Sequence, residues 1–262
     1  MTGAEPLVDD AIFDAIYGAD LVYVPDCWKL CGDAHCCSFS RHKARFRIMA
    51  KSPFQELPLL TGEYDYLRAR GWHAQFDPHE HRVTSFRFDG VEIRSESILS
   101  RRPGCACDHA TRPTICRLYP LLPCFDVSGV LQGAERVSIY DDLEVIGGLP
   151  PACQLKSLPF AQLTPFLAIT SALARSPLLL FHLEAYRLTK RHVAERIGAG
   201  VRGSGGGSSD GSSGQDVFRR FENDFLRRRL IDDASLQEDL GRLIRAFDAH
   251  HGDWRAGLIP AA

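Results

Sequence analysis

Residues 27–37 read CWKLCGDAHCC and residues 105–116 read CACDHATRPTIC. Seven of the nine cysteines fall in these two stretches: Cys27, Cys31, Cys36 and Cys37 in the first, Cys105, Cys107 and Cys116 in the second. Cys124 and Cys153 follow singly. Thiols at this density either bind a soft metal or build a disulfide framework. A chain of 262 residues buries a core without needing disulfide staples, and nine is an odd number, so a complete framework would strand one thiol. The opening, MTGAEPLVDDAIFDAIYGAD, is acidic and has no basic region before an apolar run. The expectation is therefore a cytoplasmic, bacterial protein whose thiols stay reduced, which favours metal over disulfides.

Outward from the cysteines, the pattern predicts an α+β protein with a cysteine-rich, metal-binding N-terminal half (1–160) and a mainly helical C-terminal half (161–262). Leu7, Ile12, Ile16 and Leu21 recur at roughly helical spacing. GEYDYLRARG predicts a short helix ended by Gly71. TSFRFDGVEIRSE alternates around Asp89-Gly90, the strongest hairpin signal in the chain. VLQGAERVSIYDDLEVIGG reads as strand and turn, and the Asp77-Pro78 region with His79 and His81 as an exposed turn. LTPFLAITSALARSPLLLFHL approaches the length of a membrane span. Arg175 and Pro177 interrupt it. Thr164-Pro165 and Ser176-Pro177 read as two N-caps, so two consecutive helices with a sharp joint, packed as a pair, are expected and no span. Residues 198–215 are Gly/Ser-rich and read as a flexible loop. Two amphipathic helices follow, the second with Ser235 and Glu238 at capping-box spacing.

The chemistry is narrowed by what is missing. A net charge of −2 argues against general nucleic-acid or membrane-surface binding. Gly198, Gly200 and Gly203 spell G-x-G-x-x-G, but without a preceding strand they carry no nucleotide loop, and no P-loop, H-E-x-x-H or G-x-S-x-G is present. Structural zinc sites usually draw two regular cysteine pairs. Here the spacings are irregular and the thiols exceed one tetrahedral site, which leaves one cluster plus spares, two metals or one polynuclear centre open; an iron–sulfur centre of four-iron type is the expectation, with zinc as the alternative. Arg41, Lys43, Arg45 and Arg47 follow the first loop; they either offset an anionic cluster or form a solvated face. His35 and His109 sit inside the loops and are weaker ligand candidates than the thiols.

The second stretch extends to C107DHATRPTIC116RLYP, with Arg112, Pro113, Arg117, Tyr119 and Pro120 in fixed register. This resembles the YkgJ-type cysteine-cluster family of zinc- or iron-chelating domains, whose signature is a C-x2-C-x3-C-C-like opening and a later C-x4-R-P-x2-C-R-x-[FY]-P block. The resemblance covers roughly residues 25–160, and the opening here has one extra residue in each spacer. It implies metal binding, with Cys27, Cys31, Cys36, Cys37, Cys105, Cys107, Cys116 and Cys153 as the ligand pool and Cys27, Cys31, Cys107 and Cys116 as the first choice. Arg112 and Arg117, inside the motif, either serve the cofactor by donating to cluster sulfurs or form surface ion pairs; Tyr119 is expected to pack, and Cys124, outside the pattern, to be a buried core thiol. One branch, the flagellin lysine N-methylase type, is associated with an iron–sulfur cluster and methyl transfer to lysine. The expected function is thus methyl transfer to protein lysine or redox chemistry on an iron–sulfur centre. The alternative is structural zinc with a helical half that binds a protein partner.

Overall fold

The computed structural model of the chain describes residues 8–24, 46–47, 55–88, 91–102, 107–151, 153, 155, 157–203, 213–227, 229–230, 233–257 and 259–260. Helix α1 (Asp10–Gly18) begins where the Asp9 carboxylate accepts a hydrogen bond from the Ala11 N–H at 2.9 Å. That is ordinary N-capping of a helix with orphan donors. Ile12, Phe13 and Ile16 form its buried stripe, as the sequence period predicts.

The main sheet is antiparallel. Strand β1 (Gln55–Leu59) and strand β2 (His79–Phe88) flank strand β3 (Val91–Ser100). Phe88 pairs with Val91, so the β2–β3 connection has the two-residue length that Asp89-Gly90 predicts, although those two residues lie outside the described part. Between β1 and β2, helix α2 (Glu63–Ala69) is followed by Gly71 at φ 72°, a left-handed stop that glycine adopts without strain. Leu57 and Leu59 of β1 meet Leu67, Phe76 and Ile98 in a small apolar cluster on one face of the sheet.

Downstream, the short helix α3 (Thr114–Leu118) leads into a hairpin of β4 (Leu121–Phe125) and β5 (Leu131–Arg136). The Asp126 carboxylate organises its turn, accepting from Ser128 N at 2.9 Å, Ser128 Oγ at 2.6 Å and Val130 N at 3.0 Å. The segment expected to continue as strand and turn instead becomes helix α4 (Ile139–Ile146). Strand alternation ends at Val137. Ser138 Oγ then accepts from Tyr140 N at 3.2 Å, and Asp141 and Asp142 in the first turn suit the positive end of the helix.

The long helices also correct several expectations. Helix α5 (Leu163–Leu173) starts before Pro165. Gln162, at its N-cap, makes no side-chain cap and instead accepts from Val22 N at 2.7 Å. Helix α6 (Pro177–Gly203) is capped by Ser176, whose Oγ accepts from Leu179 N at 3.3 Å, as the sequence predicts. The two helices meet at the expected sharp joint but are not a packed pair. They diverge by 109°, α5 lying on α1 while α6 packs on helices α7 (Ser213–Leu226) and α8 (Ala234–His251). No single helix among the described residues is long and apolar enough to cross a membrane, and Leu178–Phe181 are buried at 0–4 % exposure. Helix α6 runs through Gly200, where an added Cβ would meet the Arg220 guanidinium of α7, so the predicted loop shrinks from its N-terminal side.

Asp233, not Ser235, caps α8. It accepts from Ser235 N at 3.0 Å, Ser235 Oγ at 2.6 Å and Leu236 N at 3.3 Å, and also from Arg196 at 2.8 Å. Glu238 pairs with Arg242 instead of completing a capping box. Asp233→Ala is expected to lower stability by about 1 kcal/mol in urea unfolding.

The largest core draws Phe13 and Ile16 from α1, Leu118 from α3, Leu122 from β4, Ile169 from α5, Phe181 from α6 and Phe247 from α8. Both halves of the sequence therefore contribute to one apolar cluster. On the polar side of this arrangement, burial holds the His182 imidazole of α6 down at about 4, against an ordinary 6.5. The unfolded chain takes up this proton near 6.5 and the folded chain only near 4. The contribution is therefore full above pH 6.5 and is lost as pH falls toward 4, about 3 kcal/mol in all. Urea unfolding of wild type and His182→Leu at pH 7.5 and pH 4 should show the wild type losing that much more stability than the variant.

Candidate cysteine-ligated metal site

Helix α3 is five residues long and starts directly after Pro113. Its successive side chains serve different structures. Thr114 is fully buried, and both its N–H and its hydroxyl donate to Glu63 Oε1 at 2.6 Å. Glu63 opens α2 and is itself fully buried. It also accepts from Leu60 N at 2.9 Å and from the Tyr17 hydroxyl of α1 at 2.8 Å. Burial pushes the Glu63 carboxyl above its ordinary range, and the bonds from Thr114, Leu60 and Tyr17 pull it back. One carboxyl thus joins α1, α2 and α3.

Arg117 stacks on this joint. Its guanidinium carbon lies 4.5 Å from the centre of the Tyr17 ring, in cation–π geometry. Nε donates to the Arg112 carbonyl at 3.1 Å, Nη1 to the Ala19 carbonyl at 3.1 Å, and Nη2 to the Ala110 carbonyl. Arg112 donates from Nη2 to the Leu21 carbonyl at 2.6 Å and rests Nη1 against the His109 ring. Both arginines are buried, at 6 % and 3 % exposure. Neither is a surface ion pair. Each ties residues 107–117 to the C-terminal end of α1, so they act as braces for the loop, with their charge held inside. Arg112 Nε is buried and has no hydrogen-bond partner among the described residues.

Cys107 and Cys116 flank one apolar cluster beside this frame. Both are partly buried and pack, with Tyr17, Tyr64 and Trp72, against the cluster of Leu57, Leu59, Leu67, Phe76 and Ile98. Cys116 is near enough to Tyr17 to add to the upward push on the phenol, which comes first from burial. Cys153 is partly buried and is not a member of that cluster; its carbonyl accepts from Arg136 at 2.8 Å. Cys27, Cys31, Cys36, Cys37, Cys105 and His35 lie outside the described residues. So do Arg41, Lys43 and Arg45; Arg47 is exposed, and its backbone N–H donates to Glu222 at 2.8 Å. Among the described residues, no three Cys, His, Asp or Glu side chains are grouped to hold a metal ion.

Two smaller expectations change. Cys124 is half-buried on β4, not a core thiol, because a two-stranded hairpin covers only one of its faces; burial still pushes its thiol up. His79 and His81 belong to β2 and not to an exposed turn, since both pair with β3. The Tyr64 ring stacks on His81 at 3.7 Å, and the Tyr64 hydroxyl lies 3.2 Å from His79 Nε2. Tyr119 packs as expected, its hydroxyl donating to Asp141 at 3.2 Å. The Glu63–Tyr17–Thr114 joint was not anticipated from the sequence. Its one visible trace is an acid directly after Gly62 at the start of a predicted helix.

Compared with known proteins, the chain matches no family model, no curated protein and no solved structure.

Proposed function

We propose that this chain is a cysteine-ligated metalloprotein of the YkgJ type, carrying an iron–sulfur centre of four-iron type that supports redox chemistry or methyl transfer to protein lysine. The observation that carries the reading is that Cys107 and Cys116 pack on one apolar cluster, on a loop braced by two buried guanidiniums; among the described residues the carboxylates acting on Arg117 are buried Glu63 and exposed Asp20. Buried charge without compensation is costly. Thiolates at Cys107 and Cys116 would add negative charge beside them, and a thiolate-ligated cluster is itself anionic, so the donor set and its surroundings fit such a group. Cys27 and Cys31 complete the preferred ligand set, and Cys36, Cys37, Cys105 and Cys153 are the remaining pool.

When bound, the centre supplies electron transfer or an electronic sink. The protein's own contributions are separate from it. Arg112 and Arg117 fix the loop that bears both cysteines.

A second reading, structural zinc with a partner-binding helical half, has one observation in its favour. Phe160 is 91 % exposed, and Leu163 and Leu167 continue the same apolar ridge along the start of α5 at 39 % and 41 %. Leu163 and Leu167, four residues apart, share one face of α5, and Phe160 stands on the 3-10 turn just before it. The deciding experiment is iron, zinc and acid-labile sulfide analysis with an absorption spectrum, on protein purified without oxygen. Iron and sulfide in near-equal amounts, with a brown colour that fades on reduction, supports the cluster. Zinc without sulfide overturns it and assigns the cysteines to structure.

A further inference from the structure

Strand β2 ends the main sheet, with β3 on one side and no strand on the other among the described residues. Glu80, His81, Arg82, Val83, Thr84 and Ser85 are all exposed. Successive side chains of a strand point to opposite faces, so this stretch is covered on neither face. The strand is also regular. His79 to Phe88 pair with β3 in one unbroken register, and no bulge or proline interrupts them. Bulges, prolines and covering segments are the usual protections of a sheet edge. A long regular edge without them is a template for another strand.

The charges on this edge select a second copy of the same strand. A two-fold axis normal to the sheet pairs two copies of β2 antiparallel and keeps each face on its own side. Opposed residues are then identical or separated by an even number of positions. Glu80 and Arg82 are two apart and share a face. Only an axis at His81 sets Glu80 of each copy opposite Arg82 of the other, and symmetry makes the pair twice. An axis at Glu80 or at Arg82 brings like charges face to face. An axis at Val83 or Thr84 leaves both charges without an opposite one across the strands. Within its own chain Glu80 reaches Arg101 only at 3.9 Å, and Arg82 makes no ion pair among the described residues. His81 points to the other face, where its ring stacks on Tyr64 at 3.7 Å and its Nε2 lies 3.3 Å from Glu96.

We propose that two copies of this chain associate through β2, antiparallel about an axis at His81, so that their sheets join and two Glu80–Arg82 ion pairs form across the junction. Main-chain hydrogen bonds supply the attraction, as in other strand additions. Exposed ion pairs add little strength each, so here they fix the register. The overlap is short, which places the dimer at the weak end of specific interfaces.

The test is sedimentation equilibrium of the full chain, purified without oxygen and kept reduced so that no disulfide links two copies. The wild type should show a reversible monomer–dimer equilibrium with a dissociation constant of about 10–100 µM. Glu80→Arg sets positive against positive in both pairs, and Arg82→Glu sets negative against negative. Each should weaken the dimer about ten-fold. An equal mixture of the two variants restores both opposite-charge pairs and should associate about as tightly as the wild type. The double variant Glu80→Arg/Arg82→Glu should do the same by itself. Both positions are exposed, and circular dichroism checks that each variant is folded. A wild-type chain still monomeric at about 500 µM, a dimer that both single variants leave unchanged, or a mixture no tighter than either variant alone would each overturn the proposal.

Discussion

Cys116→Ser is expected to remove most of the bound metal, while Cys124→Ser leaves metal content unchanged. Serine keeps nearly the volume of cysteine but replaces a soft, readily ionised thiolate with a hard hydroxyl that stays protonated, so a soft-metal site loses a ligand without losing its packing. Cys116 cannot easily be replaced by a neighbour. It is held on a five-residue helix whose Thr114 and Arg117 are fixed to Glu63 and to the Ala19 carbonyl. Cys124 lies on the β4–β5 hairpin with its Sγ turned toward the Leu122 carbonyl at 3.7 Å. Because metal binding and folding are linked, the Cys116 variant should also melt at a lower temperature, and the Cys124 variant should not. Elemental analysis of both variants, purified without oxygen, reads the outcome. Equal metal in the two would remove Cys116 from the ligand set.

That contrast also marks how far the sequence could be read. Local signals carried well: Asp89-Gly90 gave the hairpin, Gly71 the end of α2, and Ser176-Pro177 the start of α6. Each is a short-range effect of a turn or a cap. The errors came where a stronger local partner or a tertiary contact displaced the first choice. Ser235 had capping-box spacing, but Asp233, two residues earlier, takes the cap with a charged acceptor. Thr164-Pro165 looked like a helix start, but α5 begins earlier, where Gln162 bonds across to Val22. The α+β class was legible from strand alternation followed by helical period. The sharing of one core by residues 8–160 and the later helices was not, because α1 meets α5 and α3 meets the core only through long-range packing. At the candidate site, fixed spacing singled out Cys107, Cys116, Arg112 and Arg117. It said nothing of the carbonyls that receive the two arginines, since backbone acceptors have no sequence signature.

The same limit hid Glu63, whose loss should be the most damaging to the fold. Glu63→Ala is expected to lower stability by about 5 kcal/mol, comparable with the whole stability of a small domain. The side chain receives two backbone N–H groups, Leu60 and Thr114, and two hydroxyls, Thr114 and Tyr17. Deleting it leaves those N–H groups buried without an acceptor, at about 1–3 kcal/mol each. It also removes a favourable neighbour of Arg117, whose pKa burial already lowers and which Tyr17 and Glu63 pull back up. Glu63→Gln keeps the oxygen that serves Thr114 and Tyr17 but turns an amide N–H toward Leu60 N–H, so it should cost about 2 kcal/mol, roughly one bond plus a repulsive contact. Tyr17→Phe removes one hydroxyl and leaves the other donors in place, for about 1 kcal/mol. The expected order is therefore Ala worst, Gln intermediate and Tyr17→Phe mildest, measured by urea unfolding of the full chain at one pH. A Glu63→Ala variant within 1 kcal/mol of wild type would mean that water replaces the carboxylate at no great cost. The α1–α2–α3 joint would then not be what holds Cys107 and Cys116 together.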